Sequence, residues 1–304
     1  MVKKTSFSKI GNMNIKFFKN LYKEDIIYHY TKASTAIDFI LHNNQLKFNK
    51  AKNSTDPIES KESRRGTVSS INGEYDGYEA DELHVFIDDL ENQFNQICFC
   101  QNYMGENFAS ENYITNFRGN EELFGFTKFR MWDQYADKFK GVCLAFSKEK
   151  ILSLNKKKLE IIDENIKYVT FQELWEKKIG HIQGDHLQNI GKEKYKDQLE
   201  KTVKKSFFYK HVDYSGENEY RIGILFDENK CSTEKNLHDF IFDKSKMLDI
   251  SNCIEAIFIS SYANDKQKSD LLEYANKLNV KIIEMKWKYD SFEPIDYKLS
   301  SEFF

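Results

Sequence analysis

The chain has 304 residues, and its 45 basic and 48 acidic side chains leave a formal net charge of −3, so no global field draws it toward nucleic-acid or membrane phosphates. Hydrophobic residues make up 40% and aromatics 15%, enough for Phe, Tyr and Trp to fill a core, which argues against extended disorder. The five cysteines are odd in number and lack zinc-knuckle spacing, so they read as reduced core thiols rather than a disulfide framework.

Met1 to Ile15 carries lysines but no signal-like apolar stretch, and nothing later approaches the roughly 18 apolar residues of a membrane span. The expectation is a cytoplasmic protein with no membrane partner. One domain is the default at this length: an arm over 1–24, a single domain over 25–290, and a tail over 291–304.

Ile26 to Tyr30 is β-rich, and Ser34-Thr35 then offers an N-cap for a helix with an apolar face at Ala36, Ile37, Phe39, Ile40 and Leu41. Leu46 to Phe48 reads as a short strand, and Asn53 to Pro57 as a turn leading into Glu59 and the charged stretch Lys61 to Arg65. Residues 66–78 contain Gly and Ser and read as mobile. Leu83, Phe86, Ile87 and Leu90 recur at spacings of three and four, which predicts an amphipathic helix from Glu79 to Phe94.

Ile97 to Cys100 follows as a buried strand, with Cys98 and Cys100 on one face. Residues 101–121 lack any period and read as a loop. Phe124 to Ala136 reads as a helix and Gly141 to Phe146 as the best strand in the chain. Leu159 to Ile162 and Tyr168-Val169 are expected to add antiparallel edges. A charged helical insertion then spans 171–209. Glu219 to Phe226 and Ile254 to Ser260 read as strands, Asp265 to Leu278 as a helix, and Val280 to Met285 as a closing strand. No repeat or heptad seam is visible, which disfavours a solenoid or coiled coil. The fold class is α+β, with a central mixed, mostly antiparallel sheet flanked by helices.

The P-loop, the dinucleotide-binding glycine fingerprint and the paired zinc motifs are all absent from the sequence. His181 and His186, five apart, fit two solvated histidines better than a metal site. Three segments hold side chains suited to chemistry. In Tyr28-His29-Tyr30-Thr31, the tyrosines can pack in the core, or His29 and Thr31 can hold a ligand hydroxyl at a rigid strand end. Trp132 and Tyr135 lie three apart, a spacing usual for core that could also sandwich a flat ring, while Arg130 could meet a phosphate.

The segment Lys210 to Arg221 is the most informative. Glu217, Glu219 and Arg221 alternate, so a strand beginning early would put all three on one face with Lys210 nearby. A row of charges must be solvated, mutually paired or used for chemistry, because burying unpaired carboxylates is prohibitive. Gly216 would let backbone approach a ligand closely.

In this order the segments resemble the bacterial domain-of-unknown-function family 2971 (DUF2971). The matching pieces are Ile27 to Thr31 with the helix after it and Leu46, Asp56 to Glu59, Met131 to Ala136 leading into Gly141 to Phe146, and Lys210 to Tyr214 followed by Glu217 to Arg221. Two departures stand out: Thr55 where Asn is usual, and Tyr214 in place of a more common Trp. The resemblance spans about residues 25–290 and brings no settled activity with it.

A more distant likeness, by analogy only, is to ADP-ribosyltransferase-like toxins and RNA 2′-phosphotransferases, which begin with a strand bearing His and Thr and end with a glutamate on a later strand. That likeness implies an NAD-using transferase or NAD-cleaving effector, in a toxin system or antiviral defence. NAD would be the substrate, Glu219 or Glu217 the carboxylate, and His29 the ribose ligand. Tyr30 and Thr31 would line the site, Arg130 would bind pyrophosphate, Trp132 and Tyr135 would flank nicotinamide, and Lys210 and Arg221 would complete it. The partners implied are a small-molecule nucleotide, a protein or nucleic-acid acceptor, and an antitoxin or defence-system protein. Two other classes compete: a nuclease built on Glu217, Glu219 and Lys210 and fed by the lysines of 201–210, and a non-catalytic sensor of a nucleotide or phage protein.

Overall fold

A computed structural model describes residues 15–54, 68–69, 77–104, 121–176, 181–226, 246–288 and 292–297. The fold is α+β. The chain divides into two compact units, each discontinuous in sequence, where the sequence reading has one domain. Unit 1 takes residues 1–46, 99–154 and 249–304, and unit 2 takes 47–98 and 155–248. Thr55 to Pro57 of the turn expected over Asn53 to Pro57, the charged stretch to Arg65 and most of the loop 101–121 lie outside the described residues.

Unit 1 is built on a mixed, mostly antiparallel sheet. Its strand order is Phe292–Asp296, Lys281–Trp287, Ile254–Ser260, Val142–Ser147, Ile26–Thr31 and then Phe94–Gln101, a strand that contributes residues to both units. Only Ile254–Ser260 and Lys281–Trp287 run parallel among these neighbours. Helix Asp265–Leu278 connects that pair, as a parallel connection requires, and starts in a reciprocal cap between Asn264 and Gln267.

All six residues of Val142–Ser147 are buried, which matches a run of apolar residues with strands on both sides. The strand Phe292–Asp296 lies in the stretch read as a tail; its alternation is hidden because Pro294 and two acids dilute the apolar signal. The arm also has structure: helix Ile15–Leu21 sinks Phe18 and Leu21 into the core.

The helix after the first strand departs from the sequence reading. Lys32, not Ser34 or Thr35, is its N-cap, and after one turn it widens into a π-helix over Ala36–Leu41. Ala36, Ile40 and Leu41 remain the buried face, while Phe39 is exposed.

Unit 2 pairs strand Glu219–Leu225 antiparallel with Ile162–Asn165. Gly223 lies so close to Phe94 that a Cβ there would collide with the ring. Helix Gly77–Gln93 presents Leu83, Ile87 and Leu90, as its periodicity predicts, to Leu187, Tyr195, Leu199 and Val203 of the helices Gly184–Ile190 and Lys192–Ser206. The stretch expected to be an insertion therefore supplies half of this unit's core. Lys167–Val169, expected as an antiparallel edge, instead pairs parallel with Tyr209–His211 in a separate two-stranded ribbon.

Candidate functional site

The candidate site lies in unit 2, where four charged side chains are buried together. Lys210, Glu217, Glu219 and Arg221 are each between 2% and 4% exposed. The strand begins only at Glu219. Val212–Glu217 is a 3-10 turn, and Asn218 reverses the chain with a left-handed φ of 45°. Asn accepts that conformation more readily than most residues, because its short polar side chain can bond locally. The reversal delivers Glu217 to the same lysine that Glu219 meets.

Lys210 Nζ donates to Glu217 Oε2 at 2.7 Å and to Glu219 Oε2 at 3.2 Å. Arg221 grips the other oxygen of Glu219, from Nε at 2.8 Å and Nη2 at 2.7 Å, and its Nη1 donates to the Phe207 carbonyl at 2.6 Å. Two cations and two carboxylates thus cancel in a dry setting, the condition under which such groups can stay ionised. The Tyr214 ring lies under the ammonium, 4.6 Å from Nζ to its centroid.

Tyr168, which the sequence reading used only as a strand residue, completes the arrangement. Its hydroxyl accepts the Glu219 backbone N–H at 2.8 Å, and burial holds its phenol protonated well above the ordinary range. Its register opposite Lys210 in the two-stranded ribbon puts it there; the alternation of Lys167-Tyr168-Val169 was the only signal. The neighbouring Tyr220 points away from the quartet and donates to Asp163 Oδ2 at 2.7 Å.

The remaining predicted residues belong to unit 1. Trp132 has no exposed surface. Its Nε1 donates to the Phe126 carbonyl at 2.8 Å, and its ring meets Tyr30 and Trp287 edge-on. Tyr30 is 5% exposed and donates to the Gly125 carbonyl at 2.6 Å. Both rings are core: the same apolar surface that suits a flat ring is taken up by other aromatics, the packing alternative that the spacing of Trp132 and Tyr135 also allows.

Tyr135, by contrast, is 46% exposed. Arg130 is exposed and its Nε donates to Gln134 at 3.3 Å. His29 is half-buried against Phe99, with ring centroids 5.7 Å apart, and Thr31 is buried. Gly141 is held close to the Thr31 carbonyl, which a Cβ would strike.

His186 interacts with Gln198 at 3.0 Å, and among the described residues no group of three His, Cys, Asp or Glu side chains could hold a metal ion. Cys100, Cys143 and Cys253 are buried and in no disulfide, as expected, but Cys98 is exposed despite sharing its parity with Cys100. No helix among the described residues is long and apolar enough to cross a membrane. Of the lysines from 201 to 205, Lys201 and Lys205 face solvent, and Lys204 pairs with Glu200 at 2.6 Å.

Searches of curated proteins and of solved structures give no match. The family model DUF2971, described as a protein of unknown function, matches residues 131–222, so the family resemblance read from the sequence holds for the stretch that carries Trp132, Gly141 and the whole charged quartet.

Proposed function

We propose that this protein is an NAD-using enzyme of the ADP-ribosyltransferase or NAD-cleaving type, with the carboxylates of Glu217 and Glu219 at its reacting centre. The observation that carries the reading is the sharing of one ammonium, Lys210 Nζ, by two buried carboxylates, one of them also fixed by Arg221. Ionisable groups held out of water in a fixed geometry are an expense that folds retain most often where chemistry is done.

Breaking the nicotinamide–ribose bond sends its electron pair to the pyridine nitrogen and builds positive charge at the ribose anomeric carbon. A preorganised carboxylate stabilises that charge without reorienting. Water or an acceptor hydroxyl then bonds to the same carbon and gives up its proton, for which a second carboxylate nearby is the natural base. Glu219, held by both cations, suits the electrostatic role. Glu217, carried on the turn, suits the proton transfer.

Incubation with NAD labelled in either half tests this. Wild-type protein is expected to release nicotinamide, and Glu219→Gln is expected to lose at least about a hundredfold in turnover, the scale of one electrostatic contact to a transition state. If the wild type neither releases nicotinamide nor transfers ADP-ribose, the reading is wrong. Cleavage of RNA or DNA by the wild type, abolished by EDTA, would point to the nuclease reading instead.

The near-complete burial of the quartet favours a second reading, in which it is a structural device inside a non-catalytic sensor. In that case Glu219→Gln changes the unfolding midpoint but leaves cellular activity intact wherever the protein stays folded.

A further inference from the structure

Three aromatic side chains from two distant stretches of sequence meet at the surface of unit 1. The ring centroid of Trp287 lies 5.4 Å from that of Phe129 and 5.1 Å from that of Phe139, and Phe129 and Phe139 are 6.2 Å apart. Phe129 is 50% exposed, and the other two are half-buried. Each ring is flanked on both sides by basic residues: Lys128 and Arg130, Lys138 and Lys140, Lys286 and Lys288. All of these but Lys128 are exposed. Lys138, Lys286 and Lys288 have acidic neighbours, Asp133 at 3.3 Å, Glu284 at 3.8 Å and Glu293 at 2.6 Å. The pairs of Lys138 and Lys288 are of the exposed kind that contributes at most about 1 kcal/mol, so a phosphate can replace them; Glu284 is buried and bonded to Lys268 at 2.8 Å, which leaves Lys286 the weakest held, at 3.8 Å.

The backbone also points to use. Asp137, Lys138 and Phe139 all have left-handed φ, at 50°, 53° and 64°, a run that costs about 1–2 kcal/mol per residue. Ser260 holds it in place: its hydroxyl donates to the Phe139 carbonyl and accepts from Trp287 Nε1 at 2.9 Å. One buried serine thus ties two of the three rings together. A run of strained backbone is an observation from which a functional hypothesis is properly drawn.

We propose that this face of unit 1 binds single-stranded nucleic acid, with unstacked bases lying on the ring cluster and phosphates meeting the flanking Lys and Arg. Stacking platforms set among cations are how single strands are held without sequence readout. The centre of a protein interface is depleted of lysine, whereas here lysine or arginine borders each of these three rings; a fourth, Phe292, 5.8 Å from both Phe129 and Trp287, has Glu293 beside it. A duplex keeps its base faces hidden. With a chain net charge of −3, binding has to be local, and this is the local concentration it needs. The proposal uses no part of the quartet and stands or falls separately from the NAD reading.

The test is fluorescence anisotropy of labelled oligothymidine and oligouridine with the full-length protein, beside a duplex of the same length and anionic phosphatidylserine vesicles. Saturable binding to either single strand is expected, weakening by roughly tenfold or more between about 50 and 200 mM salt. The arm that binds more tightly tells DNA from RNA. Phe129→Ala, at a half-exposed position, is expected to weaken binding at least about fivefold, Phe129→Trp to preserve it, and Lys140→Glu to weaken it and flatten the salt dependence. Unchanged thermal unfolding of each variant shows that the surface alone was altered. No binding at low salt, binding indifferent to these changes, equal binding to the duplex, or preference for vesicles would each overturn the proposal.

Discussion

The two units differ in how they bury polar atoms, although unit 1 also holds one buried ion pair, Lys268 with Glu284 at 2.8 Å. In unit 1, each buried aromatic with a polar tip finds one neutral acceptor: Trp132 at the Phe126 carbonyl, Tyr30 at the Gly125 carbonyl, Tyr28 at the Leu21 carbonyl. Unit 2 instead buries four full charges that neutralise one another. Neutral tips cost little to desolvate and need one partner apiece. Ions must be neutralised as a set, so the loss of any one exposes the rest to a large penalty. Unit 1 should therefore respond to lost volume, and unit 2 to lost charge balance.

The largest effects test that contrast directly. Trp132→Ala should destabilise by about 3–5 kcal/mol through the cavity it leaves, measured by urea unfolding. Glu219→Ala should cost a similar 3–5 kcal/mol for a different reason, since Arg221 and Lys210 lose their shared carboxylate. If Glu219→Ala costs under about 1 kcal/mol, the quartet is not the balanced ionic set its distances describe. A sharper measure is the Lys210→Met and Glu217→Gln double-mutant cycle, for which a coupling of about 0.5–3 kcal/mol is expected for side chains in one network; additive effects would separate Glu217 from the quartet.

A smaller effect is expected in unit 1. Tyr30→Phe removes the hydroxyl that donates to Gly125 and accepts from the Lys128 N–H, and should cost about 1 kcal/mol, the net worth of a typical hydrogen bond. The smallest concerns Cys253, whose thiol burial pushes up from 9.0 to about 11. The native state holds that proton where the unfolded chain releases it, so the contribution is complete below about pH 9 and is lost as pH rises toward about 11. Cys253→Ala should flatten the alkaline fall in stability over that window. At neutral pH, exposed Cys98 should react with a thiol reagent well before Cys253.

Much of the fold was legible. The six-residue apolar run at Val142–Ser147, the periodic helix holding Leu83, Ile87 and Leu90, and the alternation after Glu219 each mark their own structure locally. What escaped was non-local. Phe292–Asp296 is a strand because Lys281–Trp287 offers it an edge, not because its composition demands one. Stretch 171–209 looked like an insertion because its apolar partner, the helix Gly77–Gln93, lies a hundred residues earlier in sequence. Of the candidate site, the charged segment was visible and its members correctly grouped, but the strand geometry used to group them was not how they meet.

The sequence by itself determined which residues are charged, which runs alternate and which helices are two-faced, because those follow from side-chain chemistry and a fixed backbone period. Only the tertiary structure decided that Trp132 is core rather than clamp, that Asn218 turns the chain to bring Glu217 onto Lys210, and that three basic-flanked aromatics share one surface. Each of those outcomes depends on which distant segment arrives to supply a carbonyl, a counter-charge or a ring, and no local period encodes that arrival.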